Sequence, residues 1–347
     1  MAKQFRQTSW DAELEDDFRG LLRLAVREDL LDGRDHTTLA LVPEGAVGRA
    51  AVVARGPGII AGLPGVVHTV AAVDSLLRQV PEDSEGSRLT AILQKSRAIG
   101  AHLQWDGQLE DGQQLQPGQH IGCIEGPVRG ILMAERLVLN LLGHLSGIAT
   151  LTRRYVDAVA GTKARIFDTR KTTPGWRRLE KYAVRCGGGW NHRTGLFEAV
   201  LIKDNHLAWG AAPSGRAAYT PSEAVLLARQ YVQANLPDPA RSEMIIEIEV
   251  DTLDQLDQVL PARPDIVLLD NMTPEEIREA VARRDRIAPE VELEASGGVT
   301  LQTVRAIAET GVDRISVGEL THSAPTLDLA LDWVSPGGLS RPSPQES

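Results

Sequence analysis

Apolar residues first recur at helical spacing. Leu14, Phe18, Leu21, Leu22 and Ala25, with Asp and Glu between them, predict an amphipathic helix over residues 10–31. An acidic loop from Glu28 to Thr38 is expected to follow. From about residue 40 to 128 the pattern is strand-like: short apolar runs such as 50–54 and 58–61 are separated by Gly and Pro. Residues 109–118 read as turns between strands. Residues 80–100, polar at first and without a clear period, read as a surface excursion. Residues 129–160 differ in kind, being long, apolar and nearly free of breakers. Gly143 and Gly147 there predict one broken helix or two consecutive ones.

From residue 163 onward strands and helices alternate. Apolar, β-branched runs lie at 164–167, 200–202, 244–250, 266–269, 291–295 and 314–317. Helices are predicted at 179–185, at 221–235 capped by Thr220, at 274–286 capped by Thr273 with Pro274 in the first position, and at 301–310 opened by Thr300. Such alternation means βαβ units on a parallel sheet. Both a closed α/β barrel short of eight strands and a doubly wound sheet fit. The chemistry lies where the strands end. The runs finish in Asp168-Thr169-Arg170-Lys171, Lys203-Asp204-Asn205, Glu249 (with Glu247 two residues earlier on the same face), Asp270-Asn271, Ser296-Gly297-Gly298 and Gly318-Glu319. Ligands of α/β barrels and open α/β sheets bind at these carboxyl ends.

Composition changes the picture in a few places. The 347 residues suit one large domain or two medium ones, and with only 4% aromatics the core must be built from Leu, Val, Ile and Ala. A net charge of -10 argues against a nucleic-acid binder held by global charge. Between Lys163 and Lys203, however, ten basic residues stand against three acids. Arg177, Arg178, Lys181 and Arg185 fall on a predicted helix and read as a solvated face. Arg170, Lys171, Arg193 and Lys203 fall at strand ends or on a Gly-rich turn, where a site for small, multiply charged anions is the better reading. Glu249 and Asp270 could neutralise this wall, hold a divalent cation or face a developing positive charge; their spacing does not choose. Ser296, Gly297 and Gly318 suit backbone contact with a phosphate. Arg136, in an apolar helix, reads on its own as a salt-bridge partner of a nearby acid. Cys123 and Cys186 read as buried free thiols. The N-terminal residues lack a signal peptide's apolar core, and no stretch approaches the roughly 20 apolar residues of a membrane span. The cytoplasm is the default location, and the last residues, 336–347, are expected to be a disordered tail.

Several segments together resemble the quinolinate phosphoribosyltransferase family: DTRKTTPG (168–175), GGGWNHR (187–193), LIKDNH (201–206), IEIEV (246–250), LLDNM (268–272), EASGGV (294–299) and ISVG (315–318). The helix carrying Glu135-Arg136 and Asn140-Leu141-Leu142 is similar too, and the resemblance covers about residues 20–333. It implies an N-terminal α/β sandwich domain (1–129) and a C-terminal incomplete α/β barrel (130–335). It also implies a homodimer with a shared active site, or a hexamer of such dimers. The implied reaction is decarboxylating transfer from phosphoribosyl pyrophosphate to quinolinate in NAD biosynthesis. By the same resemblance Arg136 from the partner, Thr169, Arg170, His192, Arg193 and Lys203 would hold quinolinate, and Lys171 would meet the pyrophosphate. Glu249 and Asp270 would hold Mg²⁺ and act on the ribose, and Ser296, Gly297 and Gly318 would cradle the 5′-phosphate. A phosphoribosyltransferase for another anionic heterocycle, or a phosphosugar-binding regulator without catalysis, are the rival readings.

Overall fold

A computed structural model describes residues 3–31, 35–78 and 102–334. They form two compact units, one from residues 10–150 and 325–334, the other from residues 3–9 and 151–324. The sequence suggested a division at 129/130. The contacts instead divide the chain inside the helix Val128–Ala158, between Thr150 and Leu151.

The first unit opens with the helix Ala12–Leu30, where Asp11 caps the Leu14 amide (3.0 Å) and Leu14, Phe18, Leu22 and Leu30 are buried. The expected acidic loop is partly helical: Asp35 accepts from the Thr38 amide (2.9 Å) and starts a short helix, His36–Leu41. The four-stranded antiparallel sheet has the order β12 (Leu329–Trp333), β1 (Val47–Ala54), β5 (His120–Pro127), β3 (Gln104–Gly107). Two short strands, β2 (Gly58–Ile59) and β4 (Gln114–Leu115), pair separately. From Ala50 to Ala54 strand β1 alternates between two buried faces. Ala50, Val52 and Ala54 belong to the main core, and Ala51 and Val53 pack with Cys123 on the other face.

Three elements depart from the sequence reading. The helix Leu63–Arg78 falls inside the stretch read as strands. Short apolar runs separated by Gly and Pro suggested strands here, but Leu63, Val66, Val70, Val73 and Leu77, all buried, recur at three and four residues. Strand β12, placed by the sequence in the barrel domain, pairs with β1 from Ala50↔Trp333 to Ala54↔Leu329. The helix Val128–Ala158 is unbroken. Its glycines permit close approach rather than a break: a Cβ on Gly147 would lie 2.1 Å from the Pro325 carbonyl oxygen. That helix is long and apolar enough to cross a membrane, contrary to the expectation, but 67% of its most apolar window is buried as in a core helix. Cys123 is buried as expected and Cys186 only half-buried, both free. The excursion at 80–100 and the tail at 336–347 lie outside the described residues.

In the second unit all six expected strands form: β6 (Arg165–Phe167), β7 (Ala199–Ile202), β8 (Ile245–Val250), β9 (Ile266–Asp270), β10 (Glu292–Ser296) and β11 (Arg314–Ser316). They make one parallel sheet in the order β6-β11-β10-β9-β8-β7. A doubly wound sheet reverses its strand order at a switch point. Here the order runs monotonically from β7 to β11, and the first strand then joins the last. That is a barrel left open between β6 and β7. On the β6 side Trp190 bridges Phe167. Thr220 and Thr273 cap the helices Pro221–Asn235 and Pro274–Ile287 with full capping boxes. The last predicted helix begins later than expected, at Val304, because residues 300–303 turn first, Thr303 Oγ1 accepting from the Thr300 amide (3.0 Å).

Candidate active site

The carboxyl ends of the barrel strands surround a cavity of about 900 Å³. Its lining includes Thr169, Arg170 and Lys171 after β6, His192 and Arg193 in the Gly-rich turn, and Lys203 after β7. It also includes Glu249 on β8, Asp270 on β9, Ser296 and Gly297 at β10, and Gly318 after β11. Every barrel residue singled out from the sequence as a site residue therefore meets in one space. Arg136 does not line it. It is exposed on the helix Val128–Ala158, within the other unit.

The basic side is crowded. Arg193 is buried and donates Nη1–H to the Ala199 carbonyl (2.8 Å). Burial, and after it repulsion from Arg170, push its pKa down. The Nε atoms of Arg170 and Arg193 are buried without hydrogen-bond partners. Two like charges held together at the cavity wall are what a bound anion would relieve.

His192 is buried between this wall and the barrel interior. Its Nδ1 accepts the Arg193 amide (2.8 Å), and its Nε2 lies 3.0 Å from Glu247 and 3.6 Å from Glu294. Burial opposes a charge on the ring, but the Glu247 and Glu294 carboxylates outweigh it and raise its pKa. Protonation at Nδ1 gives up one neutral hydrogen bond and answers two buried carboxylates, so the upward direction holds. Glu294 in turn accepts from Arg314 Nε (2.7 Å), which is itself fully buried.

One expectation about the basic residues fails. Lys181, read as part of a solvated helix face, is fully buried and paired with Asp168. Its ammonium also donates to the His192 carbonyl (2.8 Å), and Asp168 accepts from Asn191 Nδ2 (2.7 Å) and the His192 amide (2.8 Å). The helix Arg177–Cys186 is buried on more than one face: Leu179 and Ala183 lie nearly opposite Lys181, and Val184, three residues on, shares its side. Arg177 and Arg185 likewise point to carbonyls, of Thr194 and Gly189 respectively, rather than only to water.

Across the cavity Lys203 and Glu249 form an ion pair. The carboxylates of Glu249, Asp251 and Asp270 offer oxygen atoms within 4.8 Å of one another, a donor set of the hard, all-oxygen kind that Mg²⁺ prefers. His192, Glu247 and Glu294 also converge, but a nitrogen donor and the adjacent Arg314 do not suit that ion. Beside Asp270, Asn271 takes a left-handed backbone (φ 53°). Gly297 (φ 93°) is required next to it, since a Cβ there would meet Asn271 Oδ1 at 2.2 Å. Gly318 precedes a short helix, Glu319–His322, and the Lys171 side chain runs 3.0 Å from where its Cβ would be. Glu294, Asn271, Glu319 and His322 also line the cavity, although the sequence reading did not select them as site residues. Glu294 was findable: it precedes Ser296 by two residues on β10, the same-face spacing that picks out Glu247 and Glu249. His322 lies one helical turn past Gly318, and no period marks it.

Residues 35–146 match the quinolinate phosphoribosyl transferase N-terminal domain, and residues 148–332 match the C-terminal domain of the same name. The chain belongs to the quinolinate phosphoribosyltransferase family. Among family members, the nicotinate-nucleotide pyrophosphorylase (carboxylating) of Mycobacterium leprae is 44% identical over 319 residues, covering 90% of this chain and 96% of that one. Quinolinate phosphoribosyltransferase (decarboxylating) 1b of Nicotiana tabacum is 35% identical over 330 residues, 91% of this chain and 82% of the other. The solved nicotinate-nucleotide pyrophosphorylase of Francisella tularensis superposes with a TM-score of 0.76 at 33% identity, over 95% of this chain and all of that one. The N-terminal sandwich and the incomplete C-terminal barrel are thus the family's architecture, which settles the sequence's choice between a barrel and a doubly wound sheet.

Proposed function

We propose that the barrel cavity joins quinolinate to phosphoribosyl pyrophosphate, giving nicotinate mononucleotide, pyrophosphate and carbon dioxide, a step of NAD biosynthesis. The observation that carries this reading is the division of one cavity into two chemistries. Arg170 and Arg193 line the same cavity as the carboxylates of Glu249 and Asp270. Quinolinate presents two adjacent carboxylates, and Arg170, His192, Arg193 and Lys203 can hold them, with Thr169 beside and Arg136 supplied by a second copy. The site is therefore completed in a homodimer, or in a hexamer built from such dimers. Ser296, Gly297 and Gly318 receive the 5′-phosphate through backbone N–H groups.

The pyridine nitrogen is the nucleophile, so no nucleophilic side chain is needed. As the bond from the anomeric carbon to pyrophosphate breaks, positive charge grows at that carbon in front of Glu249 and Asp270. Lys171 meets the negative charge on the departing pyrophosphate. Mg²⁺ fits the oxygen donors of Glu249, Asp251 and Asp270 and, when bound, would supply positive charge to the pyrophosphate and ribose oxygens. Carbon dioxide then leaves an electron pair on the ring carbon next to the cationic nitrogen, where a solvent proton replaces it. Orientation and electrostatics carry the rate.

The test mixes purified protein, Mg²⁺ and phosphoribosyl pyrophosphate with quinolinate or with nicotinate. Nicotinate mononucleotide and carbon dioxide should form from quinolinate only; equal turnover of nicotinate would sink the decarboxylating reading. For the shared site, an Arg136→Ala chain mixed with a Lys171→Ala chain should recover activity in hybrid dimers. No recovery after demonstrated subunit exchange would count against it.

A further inference from the structure

The gap between β6 and β7 is crossed by the start of the chain. Residues 3–8 bind the amino ends of the barrel strands. Lys3 Nζ donates to the Met244 carbonyl (2.7 Å) and Asp265 (3.2 Å), just before β8 and β9. The first residue of β6, Arg165, donates to Gln4 (2.9 Å), and the Arg6 amide donates to Glu198 (3.2 Å), just before β7. Phe5, the one apolar residue in this stretch, is buried among Phe167, Ala199, Ile245, Ile266 and Trp190. The arm therefore stops the amino mouth of the open barrel, opposite the cavity.

It also reaches the cavity from below. The Phe5 ring stacks on His192 (centroids 4.3 Å apart, planes 30°), and the Arg314 guanidinium lies over Phe5 at 4.9 Å. The Gln7 amide group clamps the residue before His192: its oxygen accepts the Asn191 amide (2.8 Å) and its nitrogen donates to the Asn191 carbonyl (3.2 Å). The Thr8 amide donates to Asn191 Oδ1 (2.7 Å). His192 is already held at Nδ1 by the Arg193 amide, and its Nε2 lies 3.0 Å from Glu247. Phe5 adds a contact on the face of the ring.

We propose that Phe5 and Gln7 are positioning residues for the ring-binding half of the site, acting through His192 and the turn that carries Arg193. This rests on the reading of that half as the quinolinate site. Displacing an anion-holding pair by a fraction of an ångström weakens its grip on two rigid carboxylates and leaves the phosphosugar half untouched.

The test uses the full chain with Phe5→Ala or Gln7→Ala. Each variant should raise KM for quinolinate about tenfold, while KM for phosphoribosyl pyrophosphate stays within about twofold. A merely structural arm would lower the melting temperature and the active fraction without splitting the two KM values. If Phe5→Ala does not fold, Gln7→Ala, which deletes only a half-buried amide, carries the comparison. A quinolinate KM within about twofold of the parent in the folded variants overturns the inference. Absence of turnover of quinolinate by the parent chain would instead overturn the functional reading beneath it.

Discussion

Lys181→Met tests the charge pair under the anion-holding turn. Both Lys181 and Asp168 are fully buried. The substitution keeps most of the side-chain volume and removes the cation. Asp168 is left with two donors, Asn191 Nδ2 at 2.7 Å and the His192 amide at 2.8 Å. Breaking a buried pair from one side costs about 3–5 kcal/mol, and the two surviving hydrogen bonds put this case near the lower end, about 3 kcal/mol. For a unit of this size each kcal/mol moves the midpoint by a few degrees, so the melting temperature should fall by roughly 6–12 °C. Native stability is about 5–15 kcal/mol, so the variant should still fold at room temperature. Urea denaturation of Lys181→Met, Asp168→Asn and the double variant measures the coupling. With both charges gone the single amide oxygen at position 168 can accept only one of these donors, which reach different oxygens of Asp168, so the double variant should recover only part of the loss. A Lys181→Met chain within about 1 kcal/mol of the parent, or a double variant no more stable than Lys181→Met, would refute the argument.

Glu249→Gln should lower kcat on the order of 10²-fold, because a charge facing the anomeric carbon is lost while the fold is kept; steady-state kinetics beside a thermal scan separate the two. His192 has a raised pKa, so its charged form contributes to stability and anion binding below the ordinary histidine range, and this contribution is lost as pH rises through the raised value. Glu247→Gln removes the nearer of the two carboxylates, so the rise in quinolinate KM should shift to lower pH in a profile from about pH 5 to 9; an unshifted profile would remove Glu247 from this role. Gly147→Ala should destabilise by about 2 kcal/mol in urea, since the new methyl meets a backbone carbonyl rather than a side chain that can yield. Gly20→Ala, in a helix with nothing within 4 Å of the new Cβ, should instead stabilise by about 0.5–1 kcal/mol.

The barrel was legible because most of its strands are largely buried and several of the helices between them open at a capping threonine. Near-continuous apolar runs such as 266–269, followed by Thr273-Pro274, leave few alternatives. The N-terminal unit was less legible for a related reason. In the helix Leu63–Arg78 valine supplies both the apolar face and the β-branched signal of a strand, and only the three-and-four spacing separates them. Strand β12 was hidden differently. Its residues are mostly half-buried, and what makes them a strand is pairing with β1, nearly 280 residues earlier, which no local pattern records.

The site divides along the same line. Most of the charged residues that face the cavity were found, because a charge at the end of an apolar strand stands out against its neighbours. The groups that hold those residues were not. Lys181 looks like any other lysine on a basic helix, and only Val184, three residues on, shares its buried side. Phe5 sits in a polar stretch with no period at all, yet it supports the ring of His192 from the far side of the barrel. Both act across long sequence separations, Lys181 on a turn ten residues on and Phe5 on a ring almost 190 residues on. A strand end shows what chemistry a site offers; the contacts that fix its geometry come from wherever the chain closes the barrel, and here that is partly its own beginning.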